Sequence, residues 1–247
     1  MLPITNYQMS VFGDYAAIVP EIDLINKLVK APIDIQLLPS TANIVSVDIP
    51  AYGVSNGQPR VFQRIQLIDT MQNWTVAIMP ERIDVTYSHR EADEPKGVSQ
   101  VSEAAHELLK HIVSVCNAIY GRMAINLTII AKPETDEKLT AFQNLLVRPL
   151  SFQSGKELIE WQVVANTPVV LELAKGRNEE TNVICSFSRQ NDLLSGAKFM
   201  VAHLDVNTSP VNMSPRFNVD MLKEFREKAI TVTTGIIQEI EEKWSNA

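Results

Sequence analysis

The chain has 247 residues, 45% of them apolar, with 22 basic and 29 acidic side chains, a net charge of −7 and two cysteines. That apolar content excludes a disordered chain, and the cysteine count excludes a disulfide scaffold. No run approaches the roughly 18 apolar residues of a bilayer span, and the acidic balance is unsuited to binding a phosphate backbone, so neither membrane nor nucleic acid is an expected partner.

The opening Met1-Leu2-Pro3-Ile4-Thr5-Asn6 lacks the basic-then-apolar pattern of a secretory signal, and a cytoplasmic location is expected. Tyr7 to Phe12 reads as a short strand closed by Gly13. Pro20 opens a helix whose stripe is Ile22, Ile25, Leu28 and Val29. Two strands are expected next, Ile33–Leu38 and Ile44–Ile49. Residues 60–89 alternate in three runs separated by short polar turns, at Asp69–Asn73 and Pro80–Glu81, which predicts an antiparallel meander. A charged hinge, Arg90–Gly97, precedes a helix capped by Ser99 or Ser102, with Val101, Ala105, Leu108 and Ile112 on its apolar stripe and Gly121 as its stop.

Met123–Ala131 is a further strand, and Thr135-Asp136 starts a shorter helix. Residues 157–208 predict a second meander, with Asn166-Thr167-Pro168 as a break. Asn218 caps a final helix running to Trp244, its stripe formed by Leu222, Phe225, Ala229, Ile236 and Ile240. Gly235 inside this helix costs about 1 kcal/mol relative to alanine. It is expected to serve a close approach or a bend.

The resulting fold class is α+β: two antiparallel meanders, each followed by a long amphipathic helix packed on the sheet. The chain reads as one domain, 1–247. Its halves, 1–121 and 122–247, share this coarse order without a residue-level repeat.

Few constellations carry chemistry. Ser154-Gly155-Lys156 lacks the spacing of a phosphate loop, and no GxGxxG or GxSxG is present. His106 and His111 are five apart on a helix, so they diverge by about 140° and cannot share an ion. His106 is expected on the solvated side. No metal and no cofactor are expected. His203, Asp205 and Asn207 alternate on one strand face, where an imidazole beside a carboxylate has the composition of a general base with its orienting partner. Glu160-Trp161-Gln162 loosely fits the second half of a divided-carboxylate nuclease motif. The catalytic candidates are therefore His203, Asp205 and Glu160. Trp161, Phe187, Phe225 and Ile236 are the residues expected to line a cavity beneath the terminal helix, were one present. Cys116 and Cys185 are expected to be inert.

Charge is nearly absent from two stretches. Only Asp48 is charged in 37–59, and only Asp205 in 200–215. Uncharged loops either pack on the protein or are covered by a partner, as at interface centres, so these two stretches are where a partner or ligand is sought.

The runs Phe62-x-x-Ile65-x-Leu67, Trp74-Thr75-Val76 and Pro80-Glu81-Arg82-Ile83, together with His203–Asn207 followed by Phe217 and a long helix, resemble a sporadically distributed bacterial family of uncharacterised proteins of this length. The resemblance spans residues 61–87 and 200–244. The family's acidic opening signature is not seen here. The resemblance implies no catalytic motif. The family's patchy distribution implies a link to mobile elements or phage conflict. The expected function is a non-catalytic interaction or assembly subunit of a cytosolic complex, with a protein partner or self-association. The alternatives are a carrier of a small apolar molecule between the C-terminal helix and the second sheet, and a hydrolase or nuclease using His203 and Asp205.

Overall fold

A computed structural model describes residues 2–31, 33–46, 60–90, 93–133, 135–147, 158, 160–173, 176–192 and 195–247. In chain order the elements are β1 (Ile4–Phe12), α1 (Ile22–Leu28), β2 (Leu37–Ser46), β3 (Arg60–Asp69), β4 (Trp74–Ile78), β5 (Arg82–Ser88) and α2 (Val98–Val115). There follow β6 (Arg122–Ala131), α3 (Asp136–Leu146), β7 (Gln162–Leu173), β8 (Arg177–Asn191), β9 (Lys198–Thr208) and α4 (Val219–Ser245). The α+β class expected from the pattern is observed: one large antiparallel sheet with four helices among the described residues.

Among the described residues the sheet has nine strands in the order β2-β3-β4-β5-β1-β6-β9-β8-β7. Its centre is the antiparallel pair β1–β6, with Gln8 opposite Asn126 and Met9 opposite Ile125. Alternation along these strands sends Tyr7, Met9 and Val11 of β1, and Ile125, Leu127 and Ile129 of β6, into the core. α2 lies over β1 and β5, α4 over β6, β7 and β9, and the two helices touch. Val101, Ala105, Leu108 and Ile112 of α2, with Leu222, Phe225, Ala229 and Ile240 of α4, supply the covering layer. Burial of a side chain such as Phe225 contributes about 2–3 kcal/mol.

Several expected boundaries move. A single strand, β2, occupies 37–46 where two were expected; the remainder of the second, to Ile49, lies outside the described residues. β7 runs unbroken through Pro168. Among the described residues, both strands are the outermost of the sheet. Proline is tolerated there because its missing N–H can face away from the ladder.

The N-cap of α2 is Gly97, without a side-chain cap, and Ser102 is buried inside the helix. α2 stops before Gly121, and Asn117 takes the left-handed conformation just past its end (φ 48°). Gly121 instead gives room, since a Cβ there would collide with the carbonyl of Met213. Thr135 and Asn218 do cap α3 and α4, accepting from the N–H groups of Lys138 (3.3 Å) and Met221 (3.0 Å). Gly235 is exposed, and a Cβ there would meet nothing, so no close approach depends on it. The described part of the charged hinge is tied down by Asn73, whose side-chain amide donates to Asp93 (2.7 Å).

Candidate functional site

With the four described helices on one side, the other side of the sheet is built from the residues that alternate with the core. Across its middle run Ser88, Asn6, Thr128, His203 and Ser186, each paired with the next across neighbouring strands. One row further along lie Thr86, Gln8, Asn126, Asp205 and Ile184. This face is polar and sparsely charged. It is also internally bonded. Gln8 donates to Ser10 (3.1 Å), Ser10 donates to Asp84 (2.6 Å), and Arg82 sits 2.8 Å from the other Asp84 oxygen.

His203 is exposed, and its Nδ1 is hydrogen-bonded to Thr128 Oγ1 at 2.9 Å. Asp205 is half-buried, and its Oδ1 has no hydrogen-bond partner among the described residues. Burial raises its carboxyl above the usual range, while a hydrogen bond from Asn207 and the charge of Arg122 oppose that rise. Thr128, not Asp205, therefore orients the imidazole. Glu160 does lie near His203: both line an open depression of about 690 Å³ together with Trp161, Gln162, Ser188 and Arg189. Asp205 is not part of that lining.

The four apolar candidates separate. Phe187 and Ile236 line a cavity of about 210 Å³ between α3, α4 and β8, with Phe142, Leu146, Cys185 and Ile240. Phe225 is fully buried in the core, and Trp161 belongs to the depression beside Glu160. The cavity is smaller than the roughly 300–1,000 Å³ usual for drug-sized ligands. Burial pushes the Cys116 thiol up to about 11 and raises that of Cys185, which makes both poor nucleophiles.

His106 is buried, against the sequence-based expectation. It turns in between α2 and α4, where burial and then the charge of Arg226 lower its pKa. Glu103, His106 and Glu107 bring potential metal-ligating atoms within 4.8 Å of one another. Arg226 is ion-paired with Glu103, so a guanidinium already supplies positive charge there. At the sheet's end, Arg216 forms a buried ion pair with Glu179 (2.5 Å) and donates to the carbonyls of Gly121 and Asn212. The loop it fastens leaves Val211 and Met213 exposed, and Ile119 is exposed just before Tyr120, to which Phe217 bridges.

The two charge-poor stretches have different fates. Residues 200–208 are most of β9, an interior strand whose Met200, Ala202, Leu204 and Val206 are buried, so lack of charge there reflects the core. Residues 37–46 form the edge strand β2; residues 47–59 lie outside the described residues. The opposite edge, β7, is uncharged as far as Leu171. Trp161 to Leu171 holds eleven residues without a charge, flanked by Glu160 and Glu172. Every residue from Val164 to Pro168 is exposed, so both faces of this part of β7 are bare. Sequence reasoning passed over this stretch because it read Pro168 as a break. Unbroken neutrality across eleven residues was the available signal. The chain matches no protein-family model, and no curated protein matches it.

Proposed function

We propose that this chain is a non-catalytic assembly subunit that docks other protein chains by strand addition at the edges of its sheet. The observation that carries this reading is the chemistry of the two edges. β2 has no charge from Leu37 to Ser46, and β7 none from Gln162 to Leu171. Sheet edges are normally blunted by lysine or other charges, because unpaired N–H and C=O groups template pairing with another chain. Here each edge carries one proline, Pro39 or Pro168, and no charged side chain across these spans. Main-chain pairing at such an edge gives affinity, and alternate side chains give selectivity.

The strand order on either side of β1–β6 supports reading the fold as two meander-and-helix halves, 1–121 and 122–247. This arrangement leaves one exposed edge to each half. The resemblance to a sporadically distributed bacterial family adds a cytosolic complex tied to mobile elements or phage conflict as the setting. Affinity purification of the full chain under native conditions, followed by hydrogen exchange on the purified complex, tests the reading. Protection falling on 37–46 or 162–172 is expected. A chain that never assembles and retains no partner contradicts it.

A second reading rests on the cavity between α3, α4 and β8, whose lining by Phe142, Phe187, Ile236 and Ile240 suits a small apolar molecule. Native mass spectrometry of the purified chain tests it: a discrete added mass is expected, and the bare chain mass alone opposes it. Hydrolysis through a His203–Asp205 dyad gains no support from the geometry, since Thr128 holds the imidazole.

A further inference from the structure

We infer that β7 is completed by β7 of a second copy of this chain, antiparallel, about a two-fold axis at Thr167. This rests on the assembly reading above and names the occupant of one edge.

The direction of the free backbone groups follows from Pro168. The β7–β8 register is unbroken from Gln162–Ser188 to Leu173–Arg177, with Pro168 opposite Asn182. In an antiparallel ladder, residues alternate between exchanging both bonds with the partner and pointing away from it. Proline has no N–H to exchange, so it occupies an outward position. Gln162, Val164, Asn166 and Val170 share its parity, and their N–H groups therefore face the free edge. A second strand meets an almost complete set of donors and acceptors.

The side chains select the partner. Antiparallel pairing of β7 with itself about Thr167 sets Val164 opposite Val170 on the open face. On the helix face it sets Val163 opposite Leu171 and Ala165 opposite Val169. Gln162 then faces Glu172, which can accept from its amide. Moving the axis by one residue to Asn166 would oppose Glu160 to Glu172, and directly opposed like charges are destabilising. The neutral stretch is therefore self-complementary about Thr167. Such a contact is isologous and closes at a dimer, whereas β7 on β2 of the next copy would propagate into an open chain.

Thr167 is exposed and meets its own symmetry mate in this register, which makes it the diagnostic position. Light scattering coupled to size exclusion, at micromolar concentration, is applied to the full chain and to Thr167→Lys and Thr167→Glu. The parent is expected to be a dimer. Each variant, its circular dichroism unchanged, is expected to shift toward monomer, with self-association weakened by roughly tenfold. Mixing the two variants is expected to restore the dimer, because lysine then opposes glutamate. A dimer indifferent to both variants, or an open series of larger species, overturns the β7 pairing and leaves the assembly reading standing. A parent that stays monomeric overturns the β7 pairing. If it also retains no partner in native purification, the assembly reading fails with it.

Discussion

Thr128 on β6 and His203 on β9 face each other directly across two neighbouring central strands, their Oγ1 and Nδ1 atoms 2.9 Å apart. The imidazole is thus positioned by a hydroxyl on an exposed sheet face. An exposed hydrogen bond of this kind contributes little. His203→Ala is expected to change unfolding free energy by less than about 0.5 kcal/mol, read by urea denaturation. A loss of several times that size would show that His203 is structural.

Asp205 gives a pH-dependent expectation. Burial raises its carboxyl in the folded chain above the value it takes when unfolded. Above both values the folded state bears an ill-solvated charge, so Asp205 is destabilising at neutral pH. As pH falls through the raised folded value, the folded state takes up the proton first and the penalty is relieved. Asp205→Asn is therefore expected to stabilise the chain at pH 7 and to do so less at pH 4. Denaturation at the two pH values checks the sign.

Arg216 and Glu179 are both about one-tenth exposed, and the guanidinium also holds the carbonyls of Gly121 and Asn212. Removing one partner strands the other charge in a poorly solvated site. Arg216→Ala is expected to cost about 3–5 kcal/mol. Glu179→Gln keeps the shape and is expected to cost less. A double-mutant cycle should show strong coupling, and additive single effects would refute the pair as a unit.

Much of the fold was legible because strand and helix periods are distinct. Tyr7–Phe12, residues 60–89 and 218–244 declare their elements through spacing alone. The errors cluster at proline and glycine, whose meaning depends on tertiary position. Pro168 read as a break because a local pattern does not reveal that a strand is outermost. Gly121 read as a helix stop, although the Met213 carbonyl is what requires it. His106 read as solvated because its place on the α2 wheel gave no sign of α4 closing over it. For the candidate site, the polar row His203–Asp205–Asn207 was visible from alternation. That Thr128 would bond the imidazole depends on the register between β6 and β9, which no local pattern carries.

Gly235 offers a simple check on α4. A Cβ there meets open space, so nothing in the packing resists a side chain. Gly235→Ala is expected to raise stability by about 1 kcal/mol through helix propensity. A neutral or destabilising result would show that α4 bends or packs at this point.

The central claim is that β7 is an open docking strand. Residue-resolved amide hydrogen exchange of the full chain, dilute and concentrated, tests it most directly. The N–H groups of Val163, Ala165 and Thr167 are expected to be protected in both conditions, because they pair with β8. Those of Val164, Asn166 and Val170 are expected to exchange freely when dilute and to become protected on assembly. Free exchange of Val164, Asn166 and Val170 at every concentration, or their protection already in the dilute monomer, would contradict the account.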